Sequence, residues 1–228
     1  VTTLAEIERA QRDGKIAAVL SIENGDALGG DLRVLDDLYR RGVRMLGLTW
    51  NPSTALGDGA HGRQHSGLTD LGRAVIRRMD DLGIVVDVSH LSEAAFWDAV
   101  GVVRGPFIAS HSNAAALYRH PRNLTDSQLR AVAKRGGIVG VNFYPGFLGA
   151  ATLDRVLAHI DHMVKVMGID HVALGSDYDG VPRVAARLDD VSKLPNLTAG
   201  LQRRGYTTEQ IHKILGGNAL RVFRQVWK

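Results

Sequence analysis

Residues 67–93, GLTDLGRAVIRRMDDLGIVVDVSHLSE, carry the decision about the fold. Within 71–82, Leu71, Val75, Ile76 and Met79 recur at helical spacing, and Gly83 follows where a left-handed C-cap residue is wanted. Residues 84–90, IVVDVSH, then form an apolar run that closes on Asp87 and His90. A run this apolar on alternate and adjacent positions suits a strand covered on both faces, as in a parallel sheet. The stretch is therefore one helix–strand unit with an ionisable group at the strand's end.

Outward from it the same unit recurs. Short apolar runs occupy 16–23, 45–50, 107–112, 138–144 and 172–177. Between them lie helical patterns, such as 32–41 with Leu32, Leu35 and Leu38. Thr125 with Gln128, and Thr207 with Gln210, have capping-box spacing, and Gly42 and Gly136 stand at helix ends. Residues 51–66 and 181–197 break the pattern and are expected to be long loops, the second with short helical pieces. Long loops in a compact domain often carry function. No repeat, low-complexity segment or linker divides the chain, so 1–228 is expected to be a single domain.

The strand ends choose the architecture. They carry Glu23, Thr49 with Asn51, Asp87 with His90, His111, Asn142 and Asp177. A TIM barrel builds its site from the C-terminal ends of several strands, whereas a doubly wound sheet gathers its site at one switch point. The expected fold is thus α/β, a TIM-like (β/α)8 barrel. Only six strands are legible where a closed barrel needs eight, so the chain is expected to lack the first one or two strand–helix units.

Bulk composition narrows the chemistry. The chain has 228 residues, 45% hydrophobic, with 28 Lys and Arg against 24 Asp and Glu. The net charge of +4 is spread along the chain with no basic run interleaved with aromatics, which gives no support to nucleic-acid binding. No apolar stretch has the length of a membrane span, and no signal-peptide pattern opens the sequence, so a cytoplasmic location is favoured. With no cysteine, any metal must be held by histidine and carboxylate.

Glu23, His90 and His111 all stand where barrel ligands stand. Two imidazoles and a carboxylate suit a hydrolytic Zn2+ site with one position left for water. Any one strand-end histidine is as readily structural; three groups on equivalent strand ends favour a metal. Asp177, in GSDYDG, has the chemistry of a general base, while Asp179 reads as a turn residue. Arg122 in HPRN offers a fork for a carboxylate, although spacing alone makes it a surface arginine. His159 and His162 are expected on the solvated face of a helix, and His171 precedes its strand, away from the chemistry. His61 and His65 lie in the long loop, with nothing in the sequence to position them.

In this order these residues resemble the renal (membrane) dipeptidase family of zinc peptidases, through essentially the whole chain. GKIAAVLSIENG looks like the strand with the metal-bridging glutamate, here Glu23. The GLTDLG to DVSH run is the most specific segment and ends on a ligand histidine, His90; PFIASHSNA carries the next, His111. RNLTDSQL resembles the segment whose arginine, Arg122, contacts the substrate carboxylate. ALGSDYDGVPR resembles the stretch with the catalytic aspartate, Asp177.

The resemblance implies a (β/α)8 barrel, two zinc ions and hydrolysis of dipeptides, often with a D-residue at the C-terminal position. A homodimer is among the expected assemblies. The family's first strand carries a His-x-Asp pair that completes one zinc site with the bridging glutamate, and no histidine precedes Glu23 here. Trp50 stands where animal members carry a histidine. Two further readings follow: a catalytically impaired barrel that binds one metal or a small ligand, and an amidohydrolase acting on cyclic amides. The absence of a strand-borne lysine ligand and the specific DVSH run argue against the last.

Overall fold

In a computed structural model of the chain, residues 1–62 and 66–228 are described. Six strands alternate with helices: α1 (Leu4–Arg12), β1 (Leu20–Ile22), α2 (Leu32–Arg40), β2 (Val43–Gly47), α3 (Asp70–Leu82), β3 (Val85–Asp87), α4 (Glu93–Val102), β4 (Ile108–Ala109), α5 (Asp126–Lys134), β5 (Ile138–Val141), α6 (Pro145–Leu148), α7 (Leu153–Met167), β6 (Val172–Leu174), α8 (Leu194–Arg203), α9 (Thr208–His212) and α10 (Asn218–Val226). Hydrogen-bonded neighbours follow chain order from β1 to β6 without a reversal. That monotonic order, with a crossover helix at each step, belongs to the TIM-like class; a doubly wound sheet would reverse at its switch point.

The chain divides into two compact units, Val1–Ile108 with Leu220–Lys228, and Ala109–Ala219. In the first, β2 and β3 run parallel with Met45 opposite Val85 and Gly47 opposite Asp87. Helix α3 starts one residue before the expected 71, because the Thr69 side chain accepts the Gly72 N–H and caps it. It buries Val75, Ile76 and Met79, the residues that set its periodicity. Each contributes on the order of 1.5–3 kcal/mol by leaving water.

In the second unit β5 and β6 pair parallel, Val139 opposite Val172 and Val141 opposite Leu174. Helix α5 opens with a capping box in which Thr125 and Gln128 satisfy each other's backbone N–H groups, and α9 does the same with Thr207 and Gln210. Gly42, Gly83 and Gly136, expected at helix ends, all have positive φ.

The ladders are shorter than the apolar runs. The strand within 84–90 spans only Val85–Asp87, its last ladder bond being from the Val88 N–H to the Ile108 carbonyl, yet Leu91 remains buried beyond it. Burial, which composition reports, extends past the last ladder hydrogen bond into the loops. Within the expected loop 181–197 a helix already begins at Leu194.

Candidate metal and substrate site

Glu23 immediately follows β1, and His90 follows β3 by three residues. His90 has φ 71°, a left-handed conformation that is uncommon outside glycine but enriched in histidine, asparagine and aspartate. Several contacts within the first unit hold it. Its carbonyl accepts the Ala60 N–H at 2.6 Å and the Thr49 hydroxyl at 3.4 Å. Its Nδ1 lies 2.9 Å from Asn51 Oδ1 and its Nε2 lies 3.0 Å from Glu23 Oε1. An amide oxygen only accepts, so the Asn51 contact puts a proton on Nδ1, and Nε2 faces the carboxylate. A carboxylate and an imidazole lone pair that face each other at 3.0 Å repel unless a cation or a proton lies between them. Asn51 and Thr49, read from the sequence only as polar strand ends, thus have specific work in orienting His90.

Asp58 ties together described parts of the long loop, Ser53 and Ser66. Its nearly buried carboxylate accepts the Ser53 hydroxyl at 2.6 Å and the Ser66 N–H at 2.7 Å. Burial works against its ionised form, but the hydrogen bonds from Ser53 and Ser66 prevail and hold its pKa below the usual carboxylate value. Asp58 carries no signal in the sequence beyond its place in a polar loop. Trp50 is 46% exposed, with its ring centroid 6.0 Å from that of His90. His61 is exposed in the same loop, and His65 lies outside the described residues.

In the second unit His111 follows β4 by two residues and is 9% exposed. Its Nδ1 contacts Ser110 Oγ at 2.7 Å, so Nε2 is the nitrogen that would meet a metal. Glu23, His90 and His111 each offer one ligand atom, and these three atoms lie within 4.8 Å of one another. Two imidazoles and a carboxylate at that spacing fit a divalent cation of borderline softness such as zinc. Among the described residues this is the one cluster of three such groups.

Arg122 is not a surface arginine. It is 3% exposed, donates from Nη2 to the His111 carbonyl at 3.3 Å, and lies over the Phe147 ring at 5.5 Å. The tertiary fold buries it because the loop after β4 folds back on itself, with Ala114 bridging to Leu124. Asp177 follows β6 by three residues, has φ 64°, and accepts from the Asn142 amide at 2.9 Å. Asp179 is exposed with φ 64°, in keeping with a turn.

His159 departs from expectation. It is fully buried rather than on a solvated face. Its Nδ1 accepts the Ala114 N–H at 3.1 Å and its Nε2 reaches the Leu148 carbonyl at 3.2 Å. Burial pushes its pKa down to about 4, so it is a neutral core histidine. Its apolar neighbours on α7, Val156, Ile160 and Met163, share its face, which the three-residue spacing to His162 concealed. His162 is partly exposed and contacts Asp126 at 2.7 Å. His171 contacts the Gly137 carbonyl at 2.7 Å, a structural role.

Comparison with known proteins adds to this geometry. A family model described as "Membrane dipeptidase (Peptidase family M19)" matches residues 1–228. An uncharacterized Klebsiella pneumoniae protein in the pqqA 5′ region is 41% identical over 237 residues, covering 98% of this chain and 87% of that protein. A Rhodobacter sphaeroides metallo peptidase, solved with a phosphinate mimic of the dipeptide L-Ala-D-Ala, is 33% identical with a TM-score of 0.94 over 100% of this chain and 68% of its own. The probable dipeptidase PvdM from Pseudomonas aeruginosa is 28% identical with a TM-score of 0.96, over 100% and 73%. No helix among the described residues is long and apolar enough to cross a membrane.

Proposed function

The chain belongs to the membrane dipeptidase family, peptidase family M19, and from that premise we propose that it serves metal-assisted hydrolysis of dipeptides, with Glu23, His90 and His111 holding one zinc ion. The observation that carries this reading is the cluster of two imidazoles and one carboxylate, in a protein similar to one solved with a dipeptide mimic. A zinc ion held there supplies Lewis acidity toward a peptide carbonyl and lowers the pKa of water.

The chain's own groups do the rest. Asp177 takes a proton from the attacking water and returns it to the leaving amine as the C–N bond breaks. Arg122, with its guanidinium over the Phe147 ring, presents its fork to the dipeptide's C-terminal carboxylate. Tolerance for a C-terminal D-residue is part of the proposal, on the strength of the L-Ala-D-Ala mimic in the Rhodobacter sphaeroides protein.

The single cluster among the described residues favours a second reading over a full two-metal centre. Three protein ligands are typical of one catalytic zinc, and Glu23 would be the only one of these three groups left to share with another ion. The 228 residues are therefore proposed to bind one zinc tightly and to turn dipeptides over slowly or not at all. Metal analysis after dialysis, with amino-acid release from L-Ala-D-Ala on the same sample, tests both. One zinc with weak release supports the single-metal reading. Two zincs with rapid release restore the two-metal one, and failure to hold any zinc removes the metal proposal.

A further inference from the structure

Asp177 sits in a setting that neither its motif nor its place at a strand end explains. All the groups concerned belong to the second unit. The Asn142 side chain, fully buried just beyond β5, donates from Nδ2 to Asp177 Oδ2 at 2.9 Å. The other end of that amide is also committed, since Asn142 Oδ1 accepts the Tyr144 N–H at 2.6 Å. This fixes which end of the amide faces the aspartate: an oxygen bound to an N–H leaves the NH2 for the carboxylate.

A second asparagine holds the first. Asn113, also fully buried, accepts the Asn142 N–H on its Oδ1 at 3.1 Å and donates from Nδ2 to the Asn142 carbonyl at 3.0 Å. Both backbone groups of Asn142 are thus tied to one side chain. The far side of the carboxylate is confined as well. A Cβ at position 180 would overlap Asp177 Oδ1, so any side chain there would push the carboxylate aside. Asp177 itself is in the left-handed region at φ 64°. A sparsely populated backbone conformation persists where its surroundings over-determine it, and such positions cluster at functional sites.

We propose that Asn142 is the positioning residue for Asp177: its buried amide, oriented by the Tyr144 N–H on a backbone held by Asn113, sets the direction in which the carboxylate points for proton transfer. The pairing stands on the geometry alone, while its catalytic purpose rests on the reading of Asp177 as the proton carrier.

The test uses three variants, each read by thermal unfolding and by release of amino acids from L-Ala-D-Ala. Asn142→Asp keeps the shape and the acceptor for Tyr144 but turns the donor into a second carboxylate. It is expected to lower Tm by roughly 5 °C, as the loss of a charge-assisted bond in a chain of this size implies, and to lower kcat at least 10-fold with KM nearly unchanged. Asp177→Asn is expected to leave Tm close to that of the parent, because the new amide can turn its oxygen to Asn142, and to abolish turnover.

The double variant Asn142→Asp with Asp177→Asn reverses the polarity of the same hydrogen bond. It is expected to recover most of the lost Tm, which tests the pairing; the positioning role is read from Asn142→Asp alone, where a merely structural asparagine would lower Tm without a selective fall in kcat. If the Tm effects of the two single changes simply add, the pairing is wrong. If the double variant recovers Tm and activity together, or Asp177→Asn remains active, the pairing stands and the reading of Asp177 as proton carrier falls. Where turnover of the parent is too slow to measure, the Tm cycle alone decides the pairing.

Discussion

His90, 6% exposed, directs Nε2 at Glu23 Oε1 from 3.0 Å, although the Glu23 side chain is 55% exposed and 67 residues away in the chain. The buried partner is the one under constraint. A buried, hydrogen-bonded imidazole has one orientation, while an exposed glutamate can turn toward whatever that orientation presents.

Asn51 is the group that orients the ring. Asn51→Leu removes the acceptor for Nδ1–H and frees both the tautomer and the ring angle. Zinc affinity, measured by competition with a chromophoric chelator, is expected to fall about 10–100-fold, as for the loss of an outer hydrogen-bond partner of a metal-ligating histidine. Unchanged affinity would mean that the backbone at His90 positions the ring unaided.

Asp58 makes the loop sensitive to acid. Its folded pKa lies below the ordinary value, so its stabilising contribution is present above the unfolded value near 4 and is lost as pH falls through the folded one. Asp58→Asn removes the charge that Ser53 and Ser66 bind, and is expected to cost about 1–3 kcal/mol at neutral pH and less as pH falls below 4. Urea unfolding at pH 7 and pH 3.5 measures both; equal costs at the two values would refute the assignment.

His159 acts at a higher pH and with the same sign for a different reason. Its folded pKa, about 4, lies below the ordinary 6.5, so the unfolded chain takes up its proton first. Stability is expected to be complete above 6.5 and to decline as pH falls toward 4, by about 3 kcal/mol in all, since each pKa unit is worth about 1.4 kcal/mol. His159→Gln keeps a donor and an acceptor without a titrating ring. Tm of this variant should vary less between pH 7 and pH 5 than Tm of the parent; parallel curves would exclude His159 as the cause.

Arg122 separates charge from shape. Arg122→Lys keeps the cation but loses the planar fork and the bond to the His111 carbonyl. Calorimetric titration of the zinc-loaded protein with a phosphinate mimic of L-Ala-D-Ala is expected to show binding weakened about 10-fold or more. Equal affinity would leave Arg122 only its packing role over Phe147.

What the sequence determined by itself was periodic or chemical. Residues 71–90 spell out a helix, its glycine stop and a buried strand because helical spacing, the φ of Gly83 and continuous apolarity are local properties. Glu23, His90, His111 and Asp177 were legible as polar groups just past the strands, because each closes or closely follows a short apolar run. The capping boxes at Thr125 and Thr207 were legible for the same local reason.

Only the tertiary structure decided burial and pairing between distant segments. It made Arg122 and His159 interior groups, gave Asp58 its serine partners, aimed Asn51 at His90 and set Asn142 against Asp177. A polar residue carries no mark in the sequence of whether water or another buried group will satisfy it. That is settled by which loops the packed strands and helices bring together, where an unpaired polar group out of water would cost more than the contact itself contributes.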